Sequence, residues 1–147
     1  MKLMAALLTS ILVTGCASIQ KGDPVRSAEI KKFQSKEGMA QIYVCRSGSI
    51  LGMAIMSKIE IDKVPLATIA SSTYAYSELK SGDHVIVAKS PEHESVLNFK
   101  IGAGEKKFFK TWIVPGVFAG RAVIDELPIG DGKECIKDAE LVEAVAD

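Results

Sequence analysis

A chain of 147 residues holds one domain with a core of its own and is too short for two of ordinary size. Lysine plus arginine and aspartate plus glutamate balance at 18 each, and no basic run exceeds two residues, which excludes the electropositive face of a nucleic-acid-binding domain. Hydrophobic residues make up 48%, part of them gathered at the extreme N-terminus, and no repeat, heptad or low-complexity tract is present.

The chain opens with a positive charge at Lys2, and residues 3–13 are then nearly all apolar. As a helix this run spans at most about 20 Å, against a hydrocarbon core of about 30 Å, so it reads as the apolar region of a signal peptide and not as a membrane span. Small residues follow at Thr14 and Gly15, and Cys16 comes directly after them. Val13-Thr14-Gly15-Cys16 resembles the lipobox of bacterial lipoproteins, with Val13 where leucine is commoner. The resemblance implies cleavage before Cys16, lipidation of its thiol with palmitate or a similar acyl chain, and acylation of the new amino terminus. Ala17 follows, with no aspartate after the cysteine, which in that family implies the outer membrane of a Gram-negative cell, facing the periplasm. Several acyl chains, each worth about 0.8 kcal/mol per buried CH₂, would hold the protein where one chain is marginal.

Residues 1–15 are therefore expected to be removed, residues 16–38 to form a lipidated tether, and residues 39–147 to form the domain. The tether is polar, with a short helix predicted over 27–36 that carries Ile30 and Phe33 on one side. Past Gly38 the apolar period changes to two. "AQIYVCR" (40–46), "IMSKIEID" (55–62), "LATIA" (66–70), "TYAYSEL" (73–79), "HVIVAK" (84–89), "VLNFKI" (96–101), "KFFKTWIV" (107–114) and "RAVIDEL" (121–127) read as strands separated by turn residues. Residues 107–114 are apolar on both faces, as a central strand is. The last segment, 132–145, spaces Cys135, Ala139 and Val142 at helical intervals, with Asp131 and Glu134 placed for a capping box. Some eight short strands at this spacing predict an all-β fold, an antiparallel β-sandwich with a short C-terminal helix. A doubly wound α/β fold is disfavoured, because no long helical pattern separates the strands.

The stretches "IYVCRSGS", "KIEIDKVPLATIASSTYAYSELKSGDHVIVAKS" and "LNFKIGAGEKKFFKTWI" resemble a family of small bacterial lipoproteins of unknown function. That family is similar to immunoglobulin-like and carboxypeptidase-regulatory-like sandwiches, and it lends no catalytic residue. Cys45 and Lys63-Val64 depart from its pattern, which has an aromatic or aliphatic residue and a glycine-containing turn there.

The candidate sites are few. Once Cys16 is lipidated, Cys45 and Cys135 remain, and in an oxidising periplasm they either close a disulfide or stand as unrelated residues. "PEHE" (91–94) reads as a solvated turn and not a metal site, and His84 is expected to help close its own turn. "RSGSILG" (46–52) and "GAGEKK" (102–107) read as hairpin loops, since they lack the ending of a phosphate cradle. No nucleophile elbow, triad or carboxylate pair is legible, so the reading is not an enzyme, and no cofactor is implied. "VPGVFAG" (114–120) places Val117 and Phe118 on an apolar loop tip, a candidate contact for a partner or a membrane; Phe118 is expected to fold back and cap the sandwich. The function expected is that of a non-enzymatic binding or structural module of the cell envelope. It would be held by the lipid on Cys16 and would meet an envelope protein through loop tips or an exposed strand edge. The alternatives are a carbohydrate- or peptidoglycan-binding module using Tyr74, Tyr76 or Trp112, which requires the tyrosines to be exposed side by side, and a hydrolase of envelope polymers.

Overall fold

In a computed structural model of the chain, residues 19–143 are described. The expected signal peptide, Cys16 and the last residues of the predicted C-terminal helix lie outside them. The elements in chain order are α1 (Pro24–Ile30), β1 (Ala40–Arg46), β2 (Ser57–Ile61), β3 (Val64–Ile69), β4 (Thr73–Leu79), β5 (Gly82–Ser90), β6 (His93–Ile101), β7 (Lys106–Pro115), β8 (Gly120–Leu127), α2 (Ile129–Lys137) and β9 (Glu140–Leu141). The strands form two sheets, ordered β8-β7-β1-β4-β9 and β3-β2-β5-β6, which pack as a sandwich. The all-β fold with a short helix is thus the observed one.

Within it, two pairings are parallel, β1 with β7 and β4 with β9. Alternation within a strand fixes which face is buried but not the direction of its neighbour. The two glycine-rich loops are not hairpins. Residues 47–56 carry the chain from β1 in one sheet to β2 in the other, and residues 102–105 carry it back from β6 to β7.

One core lies between the sheets, with Ile42, Val44, Ile59, Ile86, Ile101 and Phe109 fully or almost fully buried in it. A second lies on the outer face of the five-stranded sheet, where Tyr43, Cys45, Tyr74 and Phe108 are covered by Ile136 of α2 and by Ile30 and Phe33. That second layer explains why every residue of β1 is buried. It also corrects the tether. Residues 20–22 run antiparallel along β9, through Gly22 N–H to the Leu141 carbonyl and Glu143 N–H to the Gln20 carbonyl. Phe33 then packs on Tyr43 and Phe108 with ring centroids 5.4 and 5.8 Å away. Residues 19–37 belong to the domain because Ile30 and Phe33 complete its second core and Ile19 packs against the first.

The helices sit earlier than their periodicity suggests. α1 starts at Pro24 because Asp23 caps it, accepting from the Val25 N–H at 2.9 Å, and proline fits the first turn. α2 starts at Ile129 after Pro128 with no side-chain cap, so the Asp131–Glu134 box is not used. It ends at Lys137 because Glu140 and Leu141 return to pair with β4.

Candidate functional site

Two uncharged loops meet at one end of the sandwich. Residues 47–57 contain no ionisable side chain, and neither do residues 113–120. Ile50, Leu51 and Met53 of the first are exposed, and in the second Val117 is 83% and Phe118 95% exposed. Phe118 therefore does not cap the core. The end of the sandwich is already closed by Ile55 and Ile113, against which Gly120 packs too tightly for any side chain.

Both loops are braced from below. Arg46, at the end of β1 and 2% exposed, donates to the carbonyls of Ile55 and Gly52, the latter at 2.6 Å. Burial lowers its guanidinium pKa, and the carbonyl dipoles stabilise the charge in place of a carboxylate. The second loop is gathered around Glu92. Its carboxylate accepts from the backbone N–H groups of Val117, Phe118 and Ala119 at 2.8, 2.9 and 3.2 Å. Those bonds, the Phe118 one foremost, hold the Glu92 carboxyl below its ordinary pKa. Gly116 is obligatory here, because a Cβ would fall on the Glu92 carboxylate. The apolar side chains are thus presented outward on a fixed backbone, with a shallow groove of about 310 Å³ between the two loops.

The structure brings Cys45 and Cys135 together as a disulfide, Cα atoms 6.2 Å apart, which ties α2 to β1. Beside it lies an open cleft of about 490 Å³ that includes Lys110 and the acids Asp131, Glu134 and Asp138. Among the described residues no group of three His, Cys, Asp or Glu side chains converges as a metal site. Tyr74 is fully buried, and its hydroxyl lies 2.8 Å from Ser27 Oγ. Tyr76 is partly covered, receives the Gln41 amide and donates to Glu78, and burial pushes its hydroxyl up to about 12. The side-by-side tyrosine platform is absent, because Phe33, Ser27 and their neighbours cover that face.

Sheet edges are largely occupied. The outward N–H groups of Ala122 and Ile124 on β8 donate to Ser90 and Ser95 hydroxyls at 2.9 and 3.2 Å. β9 is covered by residues 20–22, and β3 carries Pro65, which offers no N–H.

His84 closes its turn through Nε2 to the Lys80 carbonyl at 2.9 Å and also reaches Asp62 Oδ2 from Nδ1 at 2.6 Å. Both ring partners are acceptors, an arrangement that favours the doubly protonated ring. Its pKa is raised, chiefly by the Asp62 bond.

Arg46, Glu92 and the 50–53 stretch carry the tip; the sequence reading placed them in a hairpin loop and a solvated turn and missed their part in it. The charge-free runs were the available signal. No family model matches the chain. It is similar to an uncharacterized protein of Haemophilus influenzae, 29% identical over 128 residues that cover 86% of this chain and 76% of that protein. No helix among the described residues is long and apolar enough to cross a membrane.

Proposed function

We propose that this protein is a lipid-anchored, non-enzymatic binding module of the bacterial cell envelope, tied by Cys16 to the outer membrane and working through its apolar tip. The observation that carries the reading is the braced pair of charge-free loops. Exposed Leu51, Val117 and Phe118 line one groove, with Ile50 and Met53 exposed on the same loop as Leu51, on a backbone held by Arg46 and Glu92, and such an apolar surface on a small domain marks a contact surface. The sequence offers no constellation for turnover, and the buried Tyr74 argues against a stacking platform for sugars.

We read the tip as a protein contact. Gln20 lies outside β9, while the 116–119 loop joins β7 to β8 at the other side of the sheet. At about 4.8 Å per strand and 3.3 Å per residue, the two are separated by about 30 Å. From Cys16 to Gln20 the chain reaches at most about 14 Å. A lipid on Cys16 therefore does not by itself bring the tip to the membrane.

The test is metabolic labelling with an alkyne fatty acid, followed by membrane fractionation. The wild type is expected to take up the label and partition with the outer membrane, and Cys16→Ser to do neither. Equal labelling of both proteins overturns the anchoring.

A further inference from the structure

Phe118 stands 95% exposed on the rim of a groove that it does not fill. The groove, about 310 Å³, runs between the two tip loops, from Leu51 and Ile55 on one side to Val117 and Phe118 on the other, and no polar side chain lines it. Its floor is fixed, because Gly52 and Gly120 lie against Ile113 too closely to admit a Cβ. The far wall is fixed by Glu92, which holds the N–H groups of Val117, Phe118 and Ala119. One surface thus carries a projecting aromatic ring and, beside it, an apolar slot.

Charge decides between the classes of occupant. Residues 47–57 and 113–120 carry no ionisable side chain. Apolar residues that enter a lipid surface are commonly joined by Lys or Arg facing the headgroups, and neither loop has one. Charged and polar groups set specificity and register for a foreign protein, and the groove offers no such side chain. A second copy of the chain needs neither. Two identical charge-free tips bring no like charges together, and the chain as a whole is formally neutral, so copies do not repel at a distance. A ring and a slot on one surface are also self-complementary about a two-fold axis, where each copy gives what it receives.

We propose that the tip is a self-association surface: two copies meet tip to tip about a two-fold axis, the Phe118 ring of each seated between the loops of the other, against Leu51. The inference rests on the binding-module reading and names its partner as a second copy of this chain. At about 100 Å² each, the exposed Ile50, Leu51, Met53, Val117 and Phe118 present about 500 Å² per copy. A pair therefore buries about 1,000 Å², the lower bound for a specific interface and the size of reversible ones. Because the loops are braced before contact, association orders little that is not ordered already.

The test uses the full chain in growing cells, as two coexpressed copies with different epitope tags. Each carries a photo-crosslinking phenylalanine analogue at position 117, which is 83% exposed and lines the groove. The expected product is an adduct bearing both tags, its crosslink mapping to residues 50–55 or 113–120 of the second copy. Phe118→Lys in both copies, or Leu51→Glu in both, should each lower its yield about tenfold, as loss of a central contact does. Both side chains are exposed, so the fold is retained, and circular dichroism checks it. A Phe118→Lys copy paired with a Leu51→Glu copy should recover most of the yield. In that pair the new lysine faces the new glutamate, and the second contact, Leu51 to Phe118, is the native one. A mixed pair no better than either variant with itself overturns the proposal. Adducts that join one tag to a different protein overturn it too, but leave the binding-module reading standing. Lipid adducts alone, or no adduct, overturn both.

Discussion

Replacing Phe118 by serine separates an interaction residue from a core residue. A buried phenylalanine removes about 200 Å² from water, and each Å² is worth about 25 cal/mol. At 95% exposure Phe118 retains only a twentieth of that burial, so Phe118→Ser should cost about 0.3 kcal/mol. For a domain of this size that lowers Tm by about 1 °C. Phe109 is fully buried between the sheets, and Phe109→Ala is the contrast, with an expected loss of about 3–5 kcal/mol. Thermal unfolding followed by circular dichroism measures both. A loss at Phe118 within a factor of two of that at Phe109 would refute the reasoning, because it would mean that the ring folds back onto the core.

Three further outcomes are expected. The Cys45–Cys135 bridge closes a loop with a sequence separation of 90, so the Cys45→Ser/Cys135→Ser protein should be about 4 kcal/mol less stable to denaturant than the oxidised protein; equal midpoints with and without reductant contradict this. His84 gains its pKa from Asp62 and the Lys80 carbonyl on folding, with Asp83 adding in the same direction. A raised folded pKa stabilises fully below the unfolded value of about 6.5 and is lost as pH rises through the folded value. Tm should therefore decline as pH rises from about 6.5 through the folded value, and His84→Gln should flatten that decline; a parallel pH profile for the variant contradicts it. Glu92→Ala removes the acceptor of three backbone bonds and should speed chymotrypsin cleavage after Phe118, with little change in Tm; unchanged cleavage would show that the loop holds its shape without the carboxylate.

The strands were legible because a period of two survives wherever one face meets the core, as Ile59 and Ile61 on β2 illustrate. Register and direction were not, since β1 beside a parallel β7 presents the same pattern as beside an antiparallel one. The segment around Phe33 read as a tether because its apolar residues are sparse, and only the aromatic cluster of Tyr43 and Phe108 reveals what they cover. The tip was half legible: its apolar residues stand in the sequence, but the Glu92 bonds that turn them outward join positions 25 to 27 residues apart.

The central claim is that the tip meets a protein. It is tested most directly by placing a photo-crosslinking phenylalanine analogue at position 118 in growing cells, with a second at exposed Lys100 on β6 as the control. The account predicts a discrete protein adduct from position 118 that is absent from position 100. Lipid adducts from position 118, or the same adducts from both positions, would contradict it.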